Sequence, residues 1–331
     1  MLCSGCAVGH LLHLAVGQTR LLLGKQPLEE ALQDPRLNSQ QRDKIHLIQD
    51  VRQFAILHLG LHDSATYTTF VFLDAPYVSY TLTAAPKDTL RPYVWWYPIV
   101  GNMPYRGFFR HHLALRAERR LQAQGYDTYV RGVRAYSTLG YFDDPILSSM
   151  LNYHDFDLID TIIHEMLHQT VWIKSSVSFN ESLASFVGEK GALMYLTHRY
   201  GAEAPERQQY LDYLADVAVF QEYMQELVTR VEALYQEPIS REEKLQRREQ
   251  LFAEAVIQYP TVFPRMKTTR YQRFFEHRPL NNALLMSFRV YNRDTSFFEQ
   301  AFANHGGDLA RMIAYFKTLR ADQIPAKFRT R

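Results

Sequence analysis

The run Asp155-Phe156-Asp157-Leu158-Ile159-Asp160-Thr161-Ile162-Ile163-His164-Glu165-Met166-Leu167-His168-Gln169-Thr170-Val171 is followed, after a polar turn, by Phe179-Asn180-Glu181-Ser182-Leu183-Ala184. Leu158, Ile159, Ile162, Ile163, Met166, Leu167 and Val171 recur at helical spacing, so the first segment predicts an amphipathic or buried helix. Asp155 and Asp157 stand where that helix would begin, as N-cap or first-turn acids suited to the positive end of its dipole. Lys174 to Ser178 reads as the turn, and Glu181 opens a second helix through Ala184, Phe186, Val187, Ala192, Leu193 and Leu196. So short a connection favours antiparallel neighbours, which brings Glu181 back towards the first helix.

Residues four apart on a helix share a face, so the imidazoles of His164 and His168 can converge on one cation. Two histidines and a carboxylate, Glu181, make a three-ligand zinc site that leaves a fourth position for water. Glu165 lies on the flank of the ligand face, placed to take a proton from that water without becoming a ligand. A bare H-E-x-x-H also arises by chance, so the second helix carries the decision. The competing reading makes the histidines core residues and Glu181 a first-turn acid favoured by the dipole.

The run H-E-x-x-H-Q at 164 to 169 with F-N-E-S-L-A-S-F-V-G-E at 179 to 189 resembles the gluzincin metallopeptidases, whose third zinc ligand is the Glu of an N-E-x-x-A helix. Most of the chain, including G-Q-T-R-L-L-L from Gly17 and the run Tyr136 to Leu147, is similar to a bacterial family of predicted aminopeptidases. The resemblance implies a zincin-like fold, His164, His168 and Glu181 as zinc ligands, Glu165 as general base, and a peptide substrate cleaved from its amino end. Gluzincin aminopeptidases hold the substrate amine with the Glu of a G-x-M-E-N segment. In Gly140-Tyr141-Phe142-Asp143-Asp144, Gly140 and Asp143 stand in comparable places while Met and Asn are missing; turn chemistry alone reads the segment as a β-turn. A downstream Tyr often stabilises the oxyanion in that group, which makes Tyr291 a candidate beside the reading of a packed tyrosine.

The 331 residues are 47% hydrophobic and 22% charged, an ordinary globular composition. A balance of 37 basic and 35 acidic residues gives no reason to expect nucleic acid as a partner. The two cysteines, Cys3 and Cys6, imply no disulfide scaffold. Leu2-Cys3-Ser4-Gly5-Cys6-Ala7 is similar to the end of a bacterial lipoprotein signal, in which Cys6 would carry the lipid, although the basic and apolar leader such a signal needs does not precede it. The resulting expectation is a lipid-anchored protein of the cell envelope or periplasm if the true start lies upstream, and a cytoplasmic one otherwise. No run of 18 apolar residues predicts a membrane-spanning helix.

Around the motif, helices are predicted over about Val8 to Leu23, Gln40 to Leu59, Tyr105 to Gln124, Pro205 to Tyr235 and Arg241 to Tyr259. Strands forming a small sheet are predicted at Thr68 to Leu73, Tyr77 to Thr83 and Tyr93 to Val100, and Tyr126 to Leu139 reads as one longer strand or hairpin. Arg131 to Tyr141 is the candidate edge along which an extended peptide would add as a strand. The fold class is α+β and mostly helical, with a small mixed sheet and a helical C-terminal half. The chain divides into an anchor or packing helix at 1–24, a small-sheet part at 25–150 and a helical part at 151–331 carrying the zinc site. The function expected is a zinc-dependent peptidase, with an envelope-anchored binding or assembly factor that keeps a zinc site without peptidase activity as the alternative.

Overall fold

The computed structural model describes residues 4–97, 101–135, 143–174, 176–276, 278, 280–289, 295–325 and 328, with side chains for all of these except 4–12, 101, 177 and 289. It begins with α1 (Ser4–Leu23), β1 (Gln26–Pro27), α2 (Leu28–Gln33), α3 (Ser39–Leu59), β2 (Thr69–Val71), β3 (Ser79–Pro86), β4 (Trp95–Tyr97), β5 (Gly101–Met103) and β6 (Arg106–Phe108). There follow α4 (His111–Ala123), β7 (Tyr126–Val133), β8 (Ile146–Leu147), α5 (Asp155–Thr170) and α6 (Val177–Tyr200). The remainder is helical: α7 (Pro205–Gln236), α8 (Arg241–Gln258), α9 (Asn282–Arg289), α10 (Ser296–Asn304) and α11 (Leu309–Lys317). The fold is α+β and mostly helical, and its strands form small sheets. Among the described residues no helix is long and apolar enough to cross a membrane.

The chain forms two compact units. The first comprises Met1–Gly17, Ser79–Val133 and Gln208–Arg293. Its sheet has the order β6-β3-β7, antiparallel throughout, with Ser79 opposite Val133 and Pro86 opposite Tyr126. Both faces of β3 are covered: the Tyr80 ring stacks on His111 of α4, while Thr83 lies against the Ala283 carbonyl of α9. On α7, Phe220, Met224, Leu227, Val231 and Leu234 repeat at alternating steps of four and three, giving one apolar stripe. That stripe packs with Phe252 and Ala255 of α8 and with Tyr259, Val262 and Leu285.

The second unit comprises Gln18–Val78, Arg134–Arg207 and Asp294–Arg331. Here β2 pairs antiparallel with β1 and parallel with β8. A reciprocal cap between Asn38 and Gln41 starts α3, and Gly60, at φ 68°, ends it in the left-handed conformation that glycine adopts without a Cβ clash. α3 and α6 both pack on α5. The α6 contact is close because Gly188 and Gly191 lack side chains: a Cβ at Gly191 would stand 3.0 Å from both Ile163 and Leu59.

The predicted helix at Tyr105 to Gln124 starts later than its pattern suggested. Arg106–Phe108 is drawn into β6 by pairing with Leu82, Thr81 and Tyr80, so α4 begins at His111. Tertiary pairing here overrides local propensity. The runs expected in one small sheet fall into separate sheets: β2 pairs with β1 and β8, β3 with β6 and β7, and β4 with β5.

Candidate metal centre

α5 is capped by His154 rather than by either aspartate: its ring accepts from the Phe156 N–H, and Asp155 and Asp157 occupy the first turn. Phe156, Leu158, Ile159, Ile162, Ile163, Met166 and Leu167 are buried, so the helix is held by its apolar faces and its ligand face is the polar exception. The connection to α6 is pinned by Asn180, which is itself buried. Its Oδ1 accepts from the Ile173 N–H and its Nδ2 donates to the Ile173 carbonyl, both at 2.9 Å. This two-point clasp makes α6 start at Val177, earlier than the sequence suggested, and puts Glu181 in its second turn. The helices run antiparallel, with Asp160 against Gly188 at one level and His168 near Glu181 at the other.

Three ligand groups meet there. His164 Nε2 and His168 Nε2 are 3.2 Å apart, and the Glu181 carboxylate oxygens lie 3.6 Å from the first and 3.5 Å from the second. Tetrahedral zinc with ligands at about 2.0–2.2 Å separates neighbouring ligand atoms by about 3.3 Å, so the spacing suits that ion. Within the described residues these three form the one His/Cys/Asp/Glu group that could hold a metal. The His168 ring is buried, its Nδ1 has no hydrogen-bond partner, and Trp172 meets it edge-on at 5.4 Å.

The protonation states follow from these surroundings. Burial and the adjacent His164 lower the His168 pKa to about 4, against a smaller opposing pull from Glu181, so His168 is neutral near pH 7 and has a lone pair to offer. Burial acts to lower His164 as well, but Glu181, Glu165 and Asp160 together outweigh it and raise that pKa above its ordinary value. A metal entering the site therefore competes with a proton on His164. One turn before His164, the Asp160 carboxyl is pushed up to about 7 by burial, and its Oδ1 has no hydrogen-bond partner. Gly188 makes room for that carboxyl, since a Cβ there would lie 2.1 Å from Oδ1.

Of the residues picked out from sequence, His164, His168 and Glu181 are brought together, and Glu165 sits half-buried next to His164 on α5. Asp143 is exposed and its backbone carbonyl accepts from Lys25 Nζ at 2.5 Å. Gly140 and Tyr291 lie outside the described residues; Cys6 falls within α1 and its side chain lies outside them as well. Sequence reasoning passed over Asp160, though its spacing of four from His164 was a usable signal, and gave Asn180 no role beyond the motif letter. Tyr67, a buried tyrosine whose phenol pKa is raised by burial and then by the charge of Glu165, carried no signal at all.

No curated protein and no solved structure matches the chain. A family profile described as Putative aminopeptidase matches residues 9–330. The match spans nearly the whole sequence and both units, and the chain therefore belongs to that family, one of peptidases at the coarse level of its description.

Proposed function

We propose that this protein is a zinc-dependent peptidase of zincin-like fold, with His164, His168 and Glu181 as the metal ligands. The observation that carries the reading is the convergence of two imidazole nitrogens and the Glu181 carboxylate, within 4.8 Å of one another, with Glu165 beside them. Zinc held there supplies a Lewis acid that polarises a carbonyl and acidifies water. The chain's own part falls to Glu165. As the water oxygen bonds to the peptide carbonyl carbon, the Glu165 carboxylate accepts the water's proton, then delivers it to the amine nitrogen as the C–N bond breaks. Glu165→Gln keeps the size of the side chain and removes the base, so hydrolysis falls by about 100-fold or more while zinc content is unchanged. Turnover retained by this variant sinks the assignment, and a zinc-loaded parent that cleaves no peptide favours the binding or assembly role instead.

The substrate is a peptide cleaved from its free amino end, with Asp143 and Gly140 near the amine. This rests on the family description and on the resemblance to G-x-M-E-N. Comparing free with N-acetylated peptides tests it: equal cleavage of the two excludes an obligate aminopeptidase. Attachment to the envelope through a lipid on Cys6 is proposed from sequence alone. Fatty-acid labelling in cells, compared with a Cys6→Ser variant, tests it, and label kept by the variant removes the anchor.

A further inference from the structure

Between Ser79 and Val133, eight of the eleven charged residues are basic. Three of them, Arg116, Arg119 and Arg120, stand with His112 at helical steps of three and four along α4, and all four are exposed. The buried Ala114 and Leu121 mark the opposite side of that helix. Its one acid is turned inward: Glu118 is half-buried, and its Oε1 accepts from the Thr128 hydroxyl of β7 at 3.2 Å. The outward face therefore carries cations with no carboxylate among them.

Other arginines of the same unit have partners. Arg241 pairs with Asp88, Arg247 with Glu237 and Arg248 with Asp127. Among the described residues, none forms an ion pair with Arg110, Arg116, Arg119 or Arg120. Like charges three and four apart destabilise a helix, so this face weakens the isolated protein and an anionic partner relieves it. Every permanent cation on it is an arginine, whose planar fork of donors matches phosphate oxygens two at a time.

A second feature selects among anionic partners. Phe109, two residues ahead of α4, donates its N–H to His13 Nε2 at 3.0 Å, and the two rings meet edge to face. Gly17 lies so close to the Phe109 ring that a Cβ there would stand 2.0 Å from it. α1 is thereby fastened at the start of the basic helix. From Met1 to Thr19 the sequence has no Asp, Glu, Lys or Arg, and Val16, beside Gly17, is 50% exposed. A polyanion in water, such as a nucleic acid, answers the arginines alone. A bilayer interface answers both, with phosphates for the guanidinium groups and acyl chains beneath for the uncharged segment.

We propose that the outward face of α4, made by His112, Arg116, Arg119 and Arg120, docks on an anionic lipid bilayer, its guanidinium groups lying on headgroup phosphates beside α1. The surface rests on neither the zinc site nor a lipid on Cys6. Where that lipid is attached, the arginines are the second signal that a singly anchored protein needs to stay on a membrane.

The test is sedimentation of the full chain with vesicles of phosphatidylcholine, or of phosphatidylcholine mixed with phosphatidylglycerol. Every protein carries Cys6→Ser, so that no attached lipid contributes. The parent binds the mixed vesicles and leaves them as salt rises, because the screening length falls from about 10 Å at 0.1 M to about 3 Å at 1 M. Arg116→Gln, Arg119→Gln and Arg120→Gln combined lower the partition coefficient by about 100-fold, from about fivefold for each cation near the surface. The combined variant melts no earlier than the parent, since it relieves repulsion. If it does melt early, Arg119→Gln and Arg120→Gln carry the test singly, each with about a fivefold loss. Equal binding of the parent to the two kinds of vesicle, or parental binding by the glutamine variants, overturns the proposal. Displacement of the parent from mixed vesicles by duplex DNA at equal phosphate concentration also overturns it, and assigns the face to nucleic acid.

Discussion

Asp127, Arg248 and Asn282 in the first unit, and His164, His168 and Glu181 in the second, are both polar clusters sunk among apolar side chains, but they are finished differently. Arg248 pairs with Asp127 at 2.9 Å and donates to the Lys87 carbonyl at 2.6 Å; Asp127 in turn accepts from the Asn282 N–H at 3.0 Å. The Asn282 side chain donates to the Pro86 carbonyl and accepts from the Tyr235 hydroxyl. Donors and acceptors there answer one another within the protein. In the second cluster the close atoms are mostly acceptors or compete for one proton, and His168 Nδ1 and Asp160 Oδ1 have no partner. A completed buried network serves the fold, whereas a buried polar group left short of partners needs a separate explanation. For the two histidines, a donor set that fits a cation is the reading proposed above.

Truncating Asp127 to Ala gives the largest expected effect on stability. It strands the Arg248 charge in the core and costs about 3–5 kcal/mol in denaturant unfolding. Glu181→Ala in metal-free protein costs less than about 1 kcal/mol, because that carboxylate is partly exposed and water can take over its contacts with the histidines. Equal losses in the two variants would erase the contrast between the clusters.

Next comes Asp160→Asn. The parent's Asp160 pKa is raised from 3.8 to about 7, so the folded state favours its protonated form, and the associated stability is present below pH 3.8 and lost as pH rises through 7. In metal-free protein at pH 8 the asparagine variant is therefore more stable than the parent. The shift of about three units sets an upper bound of about 4 kcal/mol on the gain. Melting curves across pH should show that gain shrink as pH falls from 8 to 4; a constant offset would mean that Asp160 is not the titrating group.

Zinc at about one hundred times its dissociation constant stabilises the parent by about 2.7 kcal/mol and does nothing for Glu181→Ala, read as a thermal shift. A shift of similar size in that variant would move the metal elsewhere. A modest effect is expected for Gly188→Ala. Its Cβ displaces the Asp160 carboxyl for about 1 kcal/mol, and a second change, Asp160→Ala, relieves it.

The helix pair and its ligands were legible in the sequence because helical spacing is a local property: residues four apart share a face wherever the chain is helical. The Asn38–Gln41 cap and the Gly60 stop on α3 are local for the same reason. What escaped was set by distant partners. Arg106–Phe108 reads as the start of a helix until β3 offers it hydrogen bonds. Tyr67 has no local cause for its left-handed backbone, which comes from Asp144 and Gln49, 77 and 18 residues away along the chain. The lack of a partner for Asp160 Oδ1 is likewise invisible until α6 lies across it with Gly188 at the crossing.

The clasp of Asn180 on Ile173 makes the span between them a fixed measure of chain. An extra residue inside it must either bulge out or unfasten both hydrogen bonds, and in the second case Glu181 leaves the reach of the histidines. Loops elsewhere can grow at little cost, but this one has a set length. Among other sequences bearing H-E-x-x-H, an asparagine just before the acidic ligand, at this same distance from the first helix, would therefore serve as a fingerprint for the same centre. A match to the five-residue pattern without it would not.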